Sequence, residues 1–374
     1  MKTADLIIDS SEKNADLYYA TGFLAPDPYI YFKVDGRSYV MMSDLEIDRA
    51  RKTAKVSRVL SLSKYTKMAS TPKKAATKLD AVALALRERG VKRLRVPQSM
   101  SFVDVEYLKK HFKVEPGPLP FYPERMKKGK DELKEIEVAQ RFIFKAMAVA
   151  EEIIGKASIK DDKLYLDGEP LTSERVRSEI ELFLYRNGFI TTDGTIVACG
   201  NDSIDPHNFG SGVLRPNRPI IVDIFPRSKK SLFFGDATRT FCKGRAPEEL
   251  KRLYATVKEA QEEAIRRIRP GVNGQDIHKW ILSYFEKKGY KTGEMGGRMQ
   301  GFFHSTGHGI GLELHEAPLR IGPVDFKLEA GFVTSVEPGL YYKKIGGVRI
   351  EDLVYITKGG AEVIGRYPKR LEIE

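Results

Sequence analysis

The sequence predicts two domains, an N-terminal α/β domain over residues 1–118 and a larger α+β domain over residues 119–374. Three observations carry this reading. Apolar strand-like runs alternate with helical stretches as far as Val96, the pattern of a layered α/β domain. A proline-rich segment, Glu115-Pro116-Gly117-Pro118-Leu119-Pro120-Phe121-Tyr122-Pro123, then breaks the chain, because proline removes a donor and restricts the residue before it. Beyond it, long helical patterns share the sequence with short apolar runs, which predicts helices with a strongly bent antiparallel sheet.

Element by element, residues 5–9 and 38–42 are apolar, bounded by turn residues, and predict strands. Ser43 is a candidate cap for a helix over 44–54. A longer helix is expected over 73–90, with Leu79, Val82, Ala83 and Leu86 on one face and Gly90 at its end. Leu94 to Val96 predicts a strand ended by Pro97. In the second domain Leu133, Ile136, Ala139, Phe142, Ile143 and Met147 form one stripe, so residues 131–154 predict a helix lying on a core. Leu164-Tyr165-Leu166 followed by Asp167-Gly168 predicts a hairpin with a tight turn. Further helices are expected at 172–187, 248–268 and 273–288. Strands are expected at 195–199, 219–225, 232–236, 332–336, 340–343 and 348–357.

The net charge of +12 invites a nucleic-acid reading. The basic residues are scattered, however, and mixed with acids, as in Lys127-Lys128-Gly129-Lys130-Asp131-Glu132, which reads as a solvated face. With no zinc-finger spacing and no aromatic RNA-binding signature, no nucleic-acid partner is expected. No apolar run approaches the roughly 18 residues of a membrane span. Asp5 and Asp9 break the N-terminal apolar stretch, which argues against a signal peptide and for the cytoplasm. Cys199 and Cys242 are too few for a disulfide framework and read as small buried hydrophobes.

The chemistry concentrates in the second domain. His304, His308 and His315 fall in one glycine-rich stretch, Phe303-His304-Ser305-Thr306-Gly307-His308-Gly309-Ile310-Gly311-Leu312-Glu313-Leu314-His315-Glu316. Four acids, Asp223, Asp236, Glu337 and Glu351, each adjoin apolar strand-like sequence, where an isolated charge is costly. Each alone reads as a salt-bridged structural acid. Four carboxylates together with His308 suggest a shared cation, and oxygen and imidazole donors suit Mn, Co, Fe or Zn. Two ions balance four clustered carboxylates, and a two-metal site can activate water.

These residues carry a resemblance. Val222-Asp223, Gly235-Asp236-Ala237-Thr238-Arg239-Thr240, His304-Ser305-Thr306-Gly307-His308-Gly309-Ile310-Gly311, His315-Glu316, Ser335-Val336-Glu337-Pro338-Gly339 and Arg349-Ile350-Glu351-Asp352 resemble, in order, the motifs of the prolidase, aminopeptidase P and methionine aminopeptidase family. The resemblance implies a pita-bread catalytic domain in which Asp223, Asp236, His308, Glu337 and Glu351 hold two divalent metal ions, Mn or Co foremost and Fe or Zn as alternatives. Asp236 and Glu351 would bridge them, and a metal-bridging hydroxide would attack the scissile carbonyl. It further implies Glu337 as proton shuttle, His207, His304 and His315 as catalytic or substrate-contacting histidines, and Arg349 as a residue fixing ligand orientation. His111 and His278 match no motif and read as ordinary helix or surface residues. The spacing from Asp223 to Asp236 is slightly longer than is common in the family. Its extra residues fall in Arg227-Ser228-Lys229-Lys230, so a longer hairpin is expected.

Within that family, Asn14-Ala15-Asp16-Leu17-Tyr18-Tyr19-Ala20-Thr21-Gly22-Phe23 resembles the N-terminal domain of prolidases and aminopeptidases P, which methionine aminopeptidases usually lack. Creatinase shares both domains but not this metal set. The expected substrates are therefore small peptides with proline second, cleaved by a homodimeric Xaa-Pro dipeptidase. An Xaa-Pro aminopeptidase acting on longer peptides is the alternative, and a non-catalytic pita-bread binding protein the remote one. Arg320, shortly after His315-Glu316, is the candidate for binding a dipeptide's free carboxylate.

Overall fold

The structure is a computed structural model that describes residues 2–373. It divides into two compact units between Arg125 and Met126. The first unit holds a six-stranded mixed sheet in the order Arg58–Ser61, Arg37–Met42, Tyr29–Val34, Lys2–Asp9, Val91–Val96, Lys113–Pro116. Because side chains alternate along a strand, this sheet feeds two cores. Leu6, Phe32 and Met41 pack on one face with Val82 and Leu86 of helix Lys78–Glu88. Ile7, Tyr31 and Val40 pack on the other with Leu17, Phe121 and Tyr122.

That second core corrects the expected boundary at residue 118. The aromatic pair beyond the prolines belongs to the first unit. Asp16 accepts hydrogen bonds from the amides of Phe121 and Tyr122, both at 3.2 Å, and pairs with the buried Arg125 at 2.9 Å. The expected helix over 73–90 begins only at Lys78, where Thr77 and Asp80 form a capping box. A helix not expected from the sequence occupies Leu62–Ala69. Ser43 does not cap with its side chain; its carbonyl accepts from the amides of Glu46 and Ile47.

In the second unit, Lys130–Lys156 and Ser173–Arg186 pack on a sheet ordered Thr195–Cys199, Ile220–Ile224, Ala237–Lys243, Glu372–Ile373. Glu248–Arg267 and Gly274–Lys287 join a core with residues of a second sheet, ordered Glu316–Ile321, Gly307–Gly309, Val333–Val336, Asp352–Thr357, Gly360–Val363. The hairpin at Lys163–Leu166 and Glu169–Pro170 turns through Asp167 and Gly168, both with positive φ as a tight hairpin requires. Among the described residues no helix is long and apolar enough to cross a membrane.

Two strand expectations are corrected here. Residues 348–357 are split into Gly346–Arg349 and Asp352–Thr357, which leaves Ile350 and Glu351 outside both strands. Residues 232–236 form no strand, because Leu232 has φ 64° and Gln140 occupies the backbone of Asp236. The extra residues lengthen the hairpin as expected, with Arg227 bridged antiparallel to Phe234 and the Ser228 amide donating to the Phe233 carbonyl at 3.0 Å, and residues 227–228 also pair with Phe189–Ile190.

Candidate metal centre

On strand Ile220–Ile224, Ile220, Val222 and Ile224 enter the helix-side core, so Ile221 and Asp223 face the opposite way. Asp223 lies opposite Ile196 on one neighbouring strand and Thr238 on the other. Asp236 immediately precedes that second strand. Its amide donates to Gln140 Oε1 at 3.1 Å, and its carbonyl accepts from Gln140 Nε2 at 2.8 Å. The adjoining Gly235 lies so close to the helix that a Cβ there would meet Ile143 Cδ1 at 2.7 Å. The fully buried Gln140 thus does for Asp236 what a neighbouring strand would do.

His308, Glu337 and Glu351 come from the other sheet. His308 sits in Gly307–Gly309, and Glu337 follows Val333–Val336. The amide of Glu351 donates to the carbonyl of Thr238 at 3.1 Å, which links the two sheets. Its Oε2 accepts from the Thr238 hydroxyl at 2.7 Å. These five residues line one cavity of about 360 Å³. Ligand atoms of Asp236, His308 and Glu351 all lie within 4.8 Å of one another. His308 Nε2 is 3.5 Å from Asp236 Oδ2 and 3.4 Å from Glu337 Oε1.

The clustered acids disfavour one another's charge, and a cation would relieve this. Burial, then Glu351, Asp223 and Glu337, pushes the Asp236 carboxyl well above its ordinary range. Burial, then Glu337 and Asp223, does the same to Glu351. Burial raises Glu337 to about 8. Burial, then His315, lowers His308 to about 3, so its imidazole is neutral. Its Nδ1 faces the Gly309 carbonyl at 3.2 Å, and a carbonyl can only accept. The proton therefore sits on Nδ1 and the Nε2 lone pair points at the acids, the tautomer a metal ligand needs. Asp223 Oδ1 and Glu351 Oε1 are buried without a hydrogen-bond partner among the described residues. Unpaired buried carboxylate oxygens are rare, and a bound cation is their ordinary complement.

Arg349 is buried and donates to Asp223 Oδ2 at 2.7 Å, to the Tyr341 hydroxyl at 3.0 Å and to Thr238 Oγ1 at 3.3 Å. His304 also lines the cavity, but both its ring nitrogens are engaged. Nδ1 donates to the Ser305 carbonyl at 2.8 Å, so Nε2 accepts from the Tyr341 hydroxyl at 2.9 Å. No imidazole N–H of His304 is left to donate to a substrate, which sets it apart from the catalytic or substrate-contacting role expected of it. His207, His315 and Arg320 line the same cavity.

Several contributors were missed in the sequence. Gln140 interrupts the apolar stripe of its helix, and that polar residue on a buried face was the signal. His278, expected to be an ordinary helix or surface residue, is buried behind the histidine loop, with Nδ1 at 3.0 Å from Thr306 Oγ1. Arg239 is buried, donates to the Glu351 carbonyl at 2.6 Å and pairs with Asp352 at 2.6 Å. It thereby holds the backbone of one candidate ligand from behind.

The chain matches metallopeptidase family M24 over residues 137–358. It is 30% identical over 367 residues to the Xaa-Pro dipeptidase of Pyrococcus horikoshii, covering 96% of this chain and 92% of that protein. The chain belongs to metallopeptidase family M24. A solved Xaa-Pro dipeptidase from Bacillus anthracis superposes with a TM-score of 0.83 at 26% identity, over 100% of this chain and 95% of that one. An X-Pro aminopeptidase from Thermotoga maritima shares the fold, with a TM-score of 0.82 at 22% identity over 99% and 97% of the two chains. The M24 chain thus has the pita-bread architecture. For a metallopeptidase, the unpartnered oxygens of Asp223 and Glu351 belong to a donor set that fits divalent ions.

Proposed function

We propose that this chain is a dinuclear-metal prolidase that hydrolyses Xaa-Pro dipeptides. The observation that carries the proposal is the convergence of Asp223, Asp236, His308, Glu337 and Glu351 on one cavity, with two of their oxygens buried and unpartnered. Asp236 and Glu351 would be shared between two ions, and Mn or Co is proposed ahead of Fe or Zn. Bound divalent ions supply Lewis acidity and lower the pKa of water. Glu337, a buried carboxylate on the wall of the same cavity, is suited to accept a proton and return it to the departing proline nitrogen. Arg349 holds Asp223, and Tyr341 with His304 holds Arg349. We further propose a cytoplasmic homodimer, which light scattering coupled to size exclusion tests for its assembly. Elemental analysis of purified protein and an assay of Leu-Pro with added Mn or Co test the whole reading. Hydrolysis of peptides lacking proline, with none of Leu-Pro, would overturn it.

His207 and His315 face the cavity outside the donor set. Replacing either by alanine is expected to lower kcat/KM about 10- to 100-fold, the scale of a removed hydrogen-bonding or proton-transfer group, with metal content kept. Loss of metal with either change, read by elemental analysis, would show that it is a ligand.

The side chain of Arg320 carries no hydrogen bond or ion pair among the described residues, and Arg320 lines the cavity. A free cation beside the site suits the carboxylate that only a dipeptide presents next to the scissile bond. Arg320→Ala is expected to weaken Leu-Pro hydrolysis at least about tenfold more than Leu-Pro-Pro hydrolysis, in line with a lost charge-assisted pair. Wild-type preference for the tripeptide, with no selective effect of the change, would make the protein an Xaa-Pro aminopeptidase instead.

A further inference from the structure

The charged run at residues 127–132 does not face solvent throughout. Lys128 is only 6% exposed, and its ammonium pairs with Glu316, itself 3% exposed. Glu316 directly follows His315. Its Oε1 accepts from the amide of Leu312 at 3.2 Å, and its backbone lies opposite Gly309 in the sheet. The segment between His308 and His315 is therefore a loop closed upon Glu316. Gly311 stands at the floor of this loop, where a Cβ would lie 2.6 Å from Glu316 Oε1 and 2.9 Å from Lys128 Nζ. A side chain at this position would have to displace the pair.

Lys128 is itself fixed, because its amide donates to the Gly331 carbonyl at 2.7 Å. Gly331 lies just before strand Val333–Val336, which leads into Glu337. One lysine thus spans the segments that deliver His315 and Glu337. The imidazole of His315 makes no hydrogen bond among the described residues; it has a ring contact with His308 at 4.3 Å. Its position over the cavity therefore depends on its backbone, and its backbone depends on the loop.

A buried ion pair is a poor source of stability, since desolvation of both charges offsets their attraction. Its distinctive effect is to fix one geometry. We propose that Lys128 and Glu316 are positioning residues of the peptidase site, setting the loop over residues 309–316 so that His315 faces the substrate. The inference rests on the prolidase reading for its activity readout. It is independent of that reading for its structural one.

The test compares wild type, Lys128→Met, Glu316→Gln and the double variant, each also in a His315→Ala background. Metal content, kcat and KM for Leu-Pro, and amide hydrogen exchange are measured. Lys128→Met is expected to lower kcat/KM about tenfold or more, the usual scale for a partner that orients a site, with metal content unchanged. Exchange should accelerate in residues 309–316 and not elsewhere. In the His315→Ala background the same change should cost less than about twofold, because both substitutions then remove one effect. An equal loss in both backgrounds, or unchanged activity and exchange, overturns the proposal. If Lys128→Met fails to fold, the double variant, which leaves no lone buried charge, carries the same comparison. A wild type inactive on every Xaa-Pro peptide would refute the prolidase reading while the exchange result still judges the pair.

Discussion

Glu337→Gln is expected to reduce kcat by about three orders of magnitude or more while the protein stays folded, within the range for removing a general acid–base. Glutamine keeps the shape of the side chain. It can still accept the hydrogen bond that Ser335 Oγ gives Glu337 Oε1 at 3.1 Å. It cannot carry the negative charge or exchange a proton near neutral pH. The fold should not suffer, because the change removes one of several mutually repelling acids. Circular dichroism and thermal unfolding check the fold, and stopped-time assays with Leu-Pro check turnover. A variant that binds metal and keeps more than about a tenth of wild-type kcat would remove Glu337 from proton transfer.

How far the sequence exposes this site depends on which physical signal a residue leaves. The helices at Ser173–Arg186, Glu248–Arg267 and Gly274–Lys287 lie within a residue or so of expectation, because amphipathic periodicity is a local property. Asp223 and Glu337 were visible because a carboxylate at the end of an apolar strand is locally anomalous. Asp236 was visible too, but its backbone was misread. The expected strand at 232–236 fails because Gln140, 96 positions away, occupies the Asp236 amide and carbonyl. No local pattern encodes that. Lys128 was misread as solvated for a similar reason. Its surroundings in sequence are charged, and only its partner Glu316, 188 positions on, distinguishes it from its neighbours. The domain boundary slipped because prolines announce a break in regular structure, whereas the unit ends where burial ends, after Phe121, Tyr122 and Arg125.

Removing the metal is expected to abolish Leu-Pro hydrolysis and also to reverse how the site responds to pH. In the metal-free protein Asp236, Glu337 and Glu351 all have carboxyls raised above their ordinary values, Glu337 to about 8. A raised carboxyl means that the folded protein holds a proton that the unfolded chain releases. The resulting stability is complete below the ordinary carboxylate range and is lost as pH rises through the folded value. Metal-free protein should therefore melt at progressively lower temperature between about pH 5 and about pH 8. At the acid end the trend is opposed by Asp352, whose carboxyl is lowered despite burial by Arg239 and Lys369. Its contribution is present above the ordinary range and fades on acidification. Metal ions bind the ionised carboxylates, so their affinity rises with pH and they stabilise most where the metal-free protein is weakest. The gap in Tm between reloaded and chelator-treated protein should widen steadily from about pH 5 to about pH 8. Scanning calorimetry of the two forms across that range measures it, with Leu-Pro turnover followed in parallel. A gap that is constant or narrows toward alkaline pH, or full turnover in protein that elemental analysis finds free of metal, would falsify the assignment of these carboxylates as metal ligands.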